Sequence, residues 1–260
     1  MTGHRLRTVT LVALLVLGCC AAPALASSPG GAAPGVLTLP DGSPFTVTLG
    51  NPLVRATAGG VGVTVHATAM LRGRVRIAGT APRRAGIVTI ERRDPVAGWV
   101  AVASAAVAAN GSFTAVWRPN RLGPLQLRAV AGAAAAGTAD TAGTAGDDAS
   151  APQVGVTVYR PGIASWYGPT SDAETTACGV PLGRWTLGVA HRTLPCGTPV
   201  AFYYRGRTIV VPVIDRGPFV KGRSWDLTQA AFDALGGNDG LIRVGALPLP
   251  SPTTTAARAR

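Results

Sequence analysis

The sequence predicts a mainly all-β protein: a two-sheet sandwich, then a second and denser β region that holds one short helix. Three observations carry that expectation. Short runs of alternating apolar and polar residues recur from about Phe45 to Tyr159 and again after Gly162. Glycine and proline, 34 and 21 of 260 residues, punctuate those runs at turn spacing. Only Thr228 to Leu235 combines helical spacing with a start and a stop signal.

The first β region is expected over residues 41–160. Gly73-Arg74-Val75-Arg76-Ile77 puts Val75 and Ile77 on one face and two arginines on the other. Ile87 to Glu91 and Trp99 to Ala103 repeat the pattern. Asn110-Gly111 is the strongest hairpin signal in the chain, and Phe113, Ala115 and Trp117 follow it on one side. Pro124 to Val130 alternates again, and Val154 to Tyr159 reads as the last strand. About seven such strands in little over a hundred residues resemble a cysteine-free, immunoglobulin-like sandwich. An Ala/Gly/Thr/Asp run at about 131–151 has no large apolar residue and reads as a disordered insertion. Arg160-Pro161-Gly162 marks the boundary of this region.

The second region is expected over residues 161–246. Ile163 to Tyr167, Leu187 to Ala190, Val200 to Tyr204, Thr208 to Ile214 and Leu241 to Val244 read as strands. Arg205-Gly206 turns one hairpin, and Pro212 demands a bulge or an edge in its strand. Thr228 caps the helix and Gly236-Gly237 ends it. Residues 27–40 read as a linker, and 247–260 as a disordered tail.

The N-terminus indicates the compartment. His4, Arg5 and Arg7 precede an apolar run from Val9 to Leu17, and Ala24-Leu25-Ala26 supplies small residues before Ser27. Residues 1–26 are therefore expected to be a secretory signal peptide, the apolar run being too short to span a bilayer. Val16-Leu17-Gly18-Cys19 also resembles a lipoprotein cleavage box. Free secretion to the cell wall is the preferred reading; a lipoprotein anchored through Cys19, and so associated with a membrane, is the alternative. Cys178 and Cys196 remain for the mature body, and in an oxidising compartment they have each other as partners. Zinc is a poor rival, because His191 alone leaves the ligand set incomplete. No other metal set and no cofactor motif is present, so neither metal nor cofactor is expected.

The net charge of +12, almost all from arginine, attracts polyanions. No helix-turn-helix, zinc finger or RNP-type segment occurs, so nucleic acid is not an expected partner. Acidic polymers of a cell wall fit the charge better.

The stretch from Val210 to Asp226 carries the chemistry. An apolar strand ends in Asp215, which Arg216, Gly217 and Pro218 follow at once. An acid at the mouth of a buried strand has a fixed position and partly dry surroundings, as an active-site carboxylate does. The plainer reading is a turn acid bonded to loop amides.

Ala164-Ser165-Trp166-Tyr167-Gly168, Thr176-Ala177-Cys178-Gly179, Ala190-His191-Arg192-Thr193-Leu194-Pro195, Asp215-Arg216-Gly217-Pro218 and Asp226-Leu227 occur in the order found in the RlpA (rare lipoprotein A) family. The resemblance covers roughly a third of the chain. It implies that the second region is a six-stranded double-psi β-barrel, related in fold to expansins. It also implies a lytic transglycosylase that acts on peptidoglycan glycan strands. Such an enzyme closes the C6 hydroxyl of MurNAc onto C1 and leaves a 1,6-anhydro end. By this resemblance Asp215 is the acid that protonates the leaving oxygen and then the base for the C6 proton. His191 matches a polar residue of the cleft, with a structural histidine as the alternative. Arg216 is expected to bind substrate. Asp226 either orients the site or caps the helix after it, and the cap is preferred. Tyr167 and Trp225 are expected to line the groove, and Tyr203, Tyr204, Phe219 and Trp166 to pack.

One departure bears on activity. Many active members carry a carboxylate where this chain has Val180, which can neither protonate nor stabilise a cationic transition state. Asp172 and Glu174 lie upstream as substitutes. The departure favours the alternative reading, a non-catalytic, expansin-like polysaccharide-binding module. A third reading makes the sandwich the adaptor for a protein partner, which the sequence does not identify.

Overall fold

The computed structural model describes residues 38–132, 150–169, 174–238 and 240–251. The expected signal peptide, Cys19, most of the linker and of the insertion, Asp172 and the end of the tail lie outside the described residues. Among the described residues no helix is long and apolar enough to cross a membrane.

The chain forms β1 (Val47–Leu49), β2 (Leu53–Ala58), β3 (Val61–His66), β4 (Thr68–Met70) and β5 (Val75–Thr80). It continues with β6 (Ile87–Asp94), β7 (Gly98–Ala106), β8 (Ser112–Trp117), β9 (Gly123–Gly132) and β10 (Gln153–Tyr167). Then follow β11 (Val189–Ala190), β12 (Pro199–Tyr204), β13 (Arg207–Asp215), β14 (Trp225–Thr228), α1 (Gln229–Leu235) and β15 (Ile242–Pro248).

Two sheets face each other in the first region. One has the order β2-β3-β5-β8; the other runs β7-β6-β9-β10, with β4 parallel to β10. Period-two alternation sends Val61, Val63 and Val65, Val75 and Ile77, Phe113 and Trp117, and Val154, Val156 and Val158 into one shared core. The Asn110-Gly111 turn closes locally, with Ala108 N–H donating to the Ser112 carbonyl at 2.8 Å. Its flanking strands do not pair, however: β7 bonds β6 and β8 bonds β5. The expected hairpin is instead a crossing between the two sheets. The local turn chemistry is satisfied either way, and core packing decides the path.

The second region closes on itself. From β10 the order is β15, β12, β13, β11, β14, and β14 returns to β10 in parallel register. These six strands surround Leu187, Val189, Val200, Phe202, Ile209, Val211, Val213, Leu227 and Val244, all fully buried. Helix α1 covers one side through Ala231, Phe232 and Leu235. Thr228 Oγ1 accepts from Ala231 N–H, and Gly236 ends the helix at φ 84°. The Arg205-Gly206 turn joins β12 to β13 as expected. Pro212 sits opposite Pro199, where neither ring nitrogen has a proton to give, and a bulge follows at once.

Four expectations are corrected. Strand β10 does not stop at Arg160-Pro161-Gly162; it runs 15 residues from the sandwich into the barrel. There Pro161 pairs with Gly245. Strand β1 joins the barrel and not the sandwich: Val47 pairs with Ile209, and Leu39, Phe45 and Val47 pack on the barrel core. Residues 247–249 are ordered in β15 and past it, with Leu249 N–H bonded to the Pro199 carbonyl at 2.8 Å. Strand β14, absent from the sequence reading, completes the barrel wall. A patch of Tyr159, Ala201 and Leu247, joined by Met70 and Tyr203, packs the two regions together.

Candidate active site

Barrel register sets the site. On β13, regular alternation sends Ile209, Val211 and Val213 inward, and Asp215 would be the next inward residue. The bulge prevents this. Val189 pairs with Val213 but Ala190 pairs with Asp215, so Ile214 is the extra residue. A single inserted residue moves the carboxylate to the other face of the wall. Gly188 makes the bulge possible: a Cβ there would stand 2.4 Å from Ile214 Cδ1.

That face carries a row of matched residues. Asp215 pairs with Ala190 on β11, Ala190 with Asp226 on β14, and Asp226 with Ser165 on β10. At ~4.8 Å per strand, the backbones of Asp215 and Asp226 stand roughly 10 Å apart. Asp215 Oδ1 accepts from Ala177 N–H at 2.9 Å and from its neighbour's N–H, Arg216, at 2.8 Å. Both bonds fall on Oδ1, and the Tyr167 hydroxyl lies beside the same carboxylate. Asp226 Oδ1 accepts from the Ser165 hydroxyl at 2.7 Å. Burial raises the proton affinity of Asp226 and the charge of Asp215 adds to the rise, against the Ser165 bond and the charge of Arg223. The helix cap is Thr228 and not Asp226, whose carboxylate is bonded to Ser165 instead.

Tyr167, two residues beyond Ser165 on β10, has a buried hydroxyl with no hydrogen-bond partner among the described residues. Burial raises its pKa far above the ordinary tyrosine value, and the charges of Asp215, Asp226 and Glu174 act in the same direction. Glu174 is thus near the site, at the start of a short hairpin in which Thr175 pairs with Pro181. The tip of that hairpin supplies the Ala177 N–H and carries Cys178, bonded to Cys196 with 5.8 Å between Cα atoms. Val180 lies on its return arm and brings no charge.

His191 is tied to the same frame. Its backbone N–H donates to the Asp215 carbonyl at 3.1 Å. Ring Nδ1 accepts from Thr193 and Leu194 N–H at 3.2 and 3.0 Å, which puts the proton of the neutral ring on Nε2. Burial, then the charges of Arg192 and Arg216, hold its pKa below the ordinary value. The ring packs on Trp225 at 4.6 Å, and no hydrogen bond joins it to Asp215 among the described residues. Two expected substrate contacts are spent inside the protein. Arg216 donates to the carbonyls of His191 and Leu194 at 3.2 and 2.7 Å and to Cys196 Sγ, which braces the loop. Trp225 is 6% exposed and meets Phe202 edge-on. Conversely Phe219, expected to pack, is 81% exposed four residues after Asp215, and Trp166 is 44% exposed. Among the described residues no group of three or more His, Cys, Asp or Glu side chains is placed to hold a metal.

Residues 160–246 match the family model described as lytic transglycolase. The probable endolytic peptidoglycan transglycosylase RlpA of Aquifex aeolicus is 42% identical over 92 residues, 35% of this chain and 39% of that protein. The protein of the same name from Synechocystis sp. is 47% identical over 77 residues, 29% of this chain and 24% of that protein. Among solved structures, the apo expansin of Clavibacter michiganensis is 24% identical over 35% of this chain and 50% of that one, with a TM-score of 0.30. The chain therefore spans 39% or less of these two curated relatives. The barrel is similar to RlpA-type transglycosylases; the sandwich lies outside the matched residues.

Proposed function

We propose that the protein cleaves peptidoglycan glycan strands as a lytic transglycosylase, in the cell envelope. The observation that carries the reading is the bulge at Ile214, which turns Asp215 out of the barrel core and into line with Asp226. A buried turn acid would need no such device.

The proton balance needs no water. The Asp215 carboxyl gives its proton to the glycosidic oxygen, the bond to C1 breaks, and the electron pair leaves with that oxygen. The C6 hydroxyl oxygen bonds to C1, and the Asp215 carboxylate takes its proton, which restores the acid. The two backbone N–H groups on Oδ1 fix the side chain through both steps. Asp226 supplies the second carboxyl of the face, the place that Val180 leaves empty, and Ser165 holds its orientation. The proposal includes secretion through residues 1–26, with an anchor at Cys19 as the variant form, and an immunoglobulin-like role for the sandwich in holding a partner.

Purified protein incubated with peptide-free glycan strands should release oligosaccharides that end in 1,6-anhydro-MurNAc, identified by mass. Asp215→Asn should reduce release by at least about 10³-fold. Val180 favours one second reading, a binder that retains glycan without cutting it. Retention on insoluble wall with no anhydro product from the unmodified protein would establish that reading in place of the first.

A further inference from the structure

A cavity of about 380 Å³ opens on the far arm of the Thr175–Pro181 hairpin. Its lining includes Leu39, Pro40, Val180, Pro181, Trp185 and Leu187. The volume is within the range of small-molecule sites, about 300–1000 Å³. Trp185 is 64% exposed, which is unusual for the largest apolar side chain on a protein whose cores are otherwise closed. Arg184 stacks its guanidinium 4.9 Å from the Trp185 ring centroid. No carboxylate among the described residues pairs with Arg184. A guanidinium laid on an aromatic ring is held in one plane, with its in-plane N–H groups free for a bidentate anion.

The turn that presents the pair is braced by three hydrogen bonds. Thr186 N–H donates to the Gly183 carbonyl at 3.1 Å, Gly183 N–H to Thr186 Oγ1 at 2.9 Å, and Thr186 Oγ1 to the Pro181 carbonyl at 3.1 Å. The opposite wall is tied down as well. Leu39 N–H donates to the Ser43 carbonyl at 2.9 Å, Thr38 pairs with Pro44, and Leu39 packs on the barrel core. This wall precedes the residues that match the family model. One hairpin therefore joins two places: its tip holds Asp215 through Ala177 N–H, and its return arm lines the cavity.

We propose that Arg184, Trp185 and the Leu39–Pro40 wall form a second glycan subsite, for a pyranose ring that carries a carboxylate. Within the proposed reaction, on which this inference rests, that is a muramyl residue whose lactyl group bears no peptide. The Trp185 ring stacks the sugar face, Arg184 pairs with the lactyl carboxylate, and the strand runs on across the hairpin to Asp215.

The test uses the full chain carrying Asp215→Asn, which binds without cutting, and titration calorimetry with two soluble oligosaccharides of equal length. One alternates GlcNAc and MurNAc without peptide; the other is a chito-oligosaccharide, with no carboxylate. Trp185→Ala should weaken both about tenfold, and Arg184→Gln should weaken only the muramyl ligand, about fivefold. Trp185→Tyr, which keeps a ring, should restore most of the affinity if Trp185→Ala also lowers Tm. Affinities within twofold of the parent in both variants, equal losses for both ligands in Arg184→Gln, or no binding by the parent would each overturn the proposal. Cleavage by the unmodified chain is read separately. No anhydro product together with the expected binding losses sinks the reaction and leaves the subsite standing. Product formation with unchanged affinities does the reverse.

Discussion

Asp215 is usable because a single residue, Ile214, is inserted ahead of it. The sequence displays the acid and its Gly-Pro turn plainly, but the bulge has no local signature beyond Pro212. Side chains whose role depends on where a loop folds were harder to read. Trp225 and Phe219 exchange their expected places, since hydrophobicity ranks both as core and only strand β14 and the 216–224 loop decide which is covered. Arg216 likewise looks available until the carbonyls of His191 and Leu194 are brought within reach. Asp226 supports a prediction with a definite sign. Its folded carboxyl holds a proton more tightly than the ordinary value of 3.8, so the folded state loses stability as pH rises through the interval above that value. Asp226→Asn removes the loss and keeps an acceptor for Ser165. Its Tm should exceed the parent's by about 1–3 °C at pH 7 and match it at about pH 3, with glycan release reduced; an unchanged Tm at pH 7 would contradict the burial argument.

At the scale of elements, the strands were legible wherever one face is buried, because the period-two pattern is then enforced by the core. It failed for β14, four residues long and continuous with the helix cap, and for the Asn110-Gly111 crossing, where pairing is decided by partners far along the chain. Two elements fix the site, and each can be broken. Gly188→Ala pushes a methyl group into Ile214 and should cost about 1–3 kcal/mol, with glycan release falling further than stability because Asp215 is re-aimed. Chemical denaturation followed at matched fractions folded separates the two effects. The Cys178–Cys196 bond closes a loop with a sequence separation of 18, and Cys178→Ser with Cys196→Ser should cost about 3 kcal/mol in the chain-entropy account. Loss of the bond should also loosen the Ala177 N–H that holds Asp215, so the double variant should lose activity at temperatures where it remains folded.

For the whole molecule, the sequence reading divided the chain into a sandwich and a barrel, and it set the join inside a strand that both regions share. Proline and glycine at 161 and 162 argue locally for a break. Pairing of Pro161 with Gly245, and packing of Met70 and Tyr159 against Gly245 itself, override that argument. The described residues accordingly fall in one compact unit. Calorimetry should show a single unfolding transition with equal calorimetric and van't Hoff enthalpies, and two resolved peaks would refute the shared strand as a cooperative link. The basic surface belongs to this scale too. Retention on acidic wall should drop as salt is raised from about 50 to about 500 mM, because screening shortens the reach of a net charge of +12.

Strand β10 has a geometric consequence for where the proposed cutting would take place. It has no swivel between its Gln153 and Tyr167 ends, so the bearing of Asp215 is inherited from whatever grips the sandwich. A tether on that module would dictate direction as well as address: the glycan would be approached from one side and at one inclination, like work fed to a blade clamped to its handle.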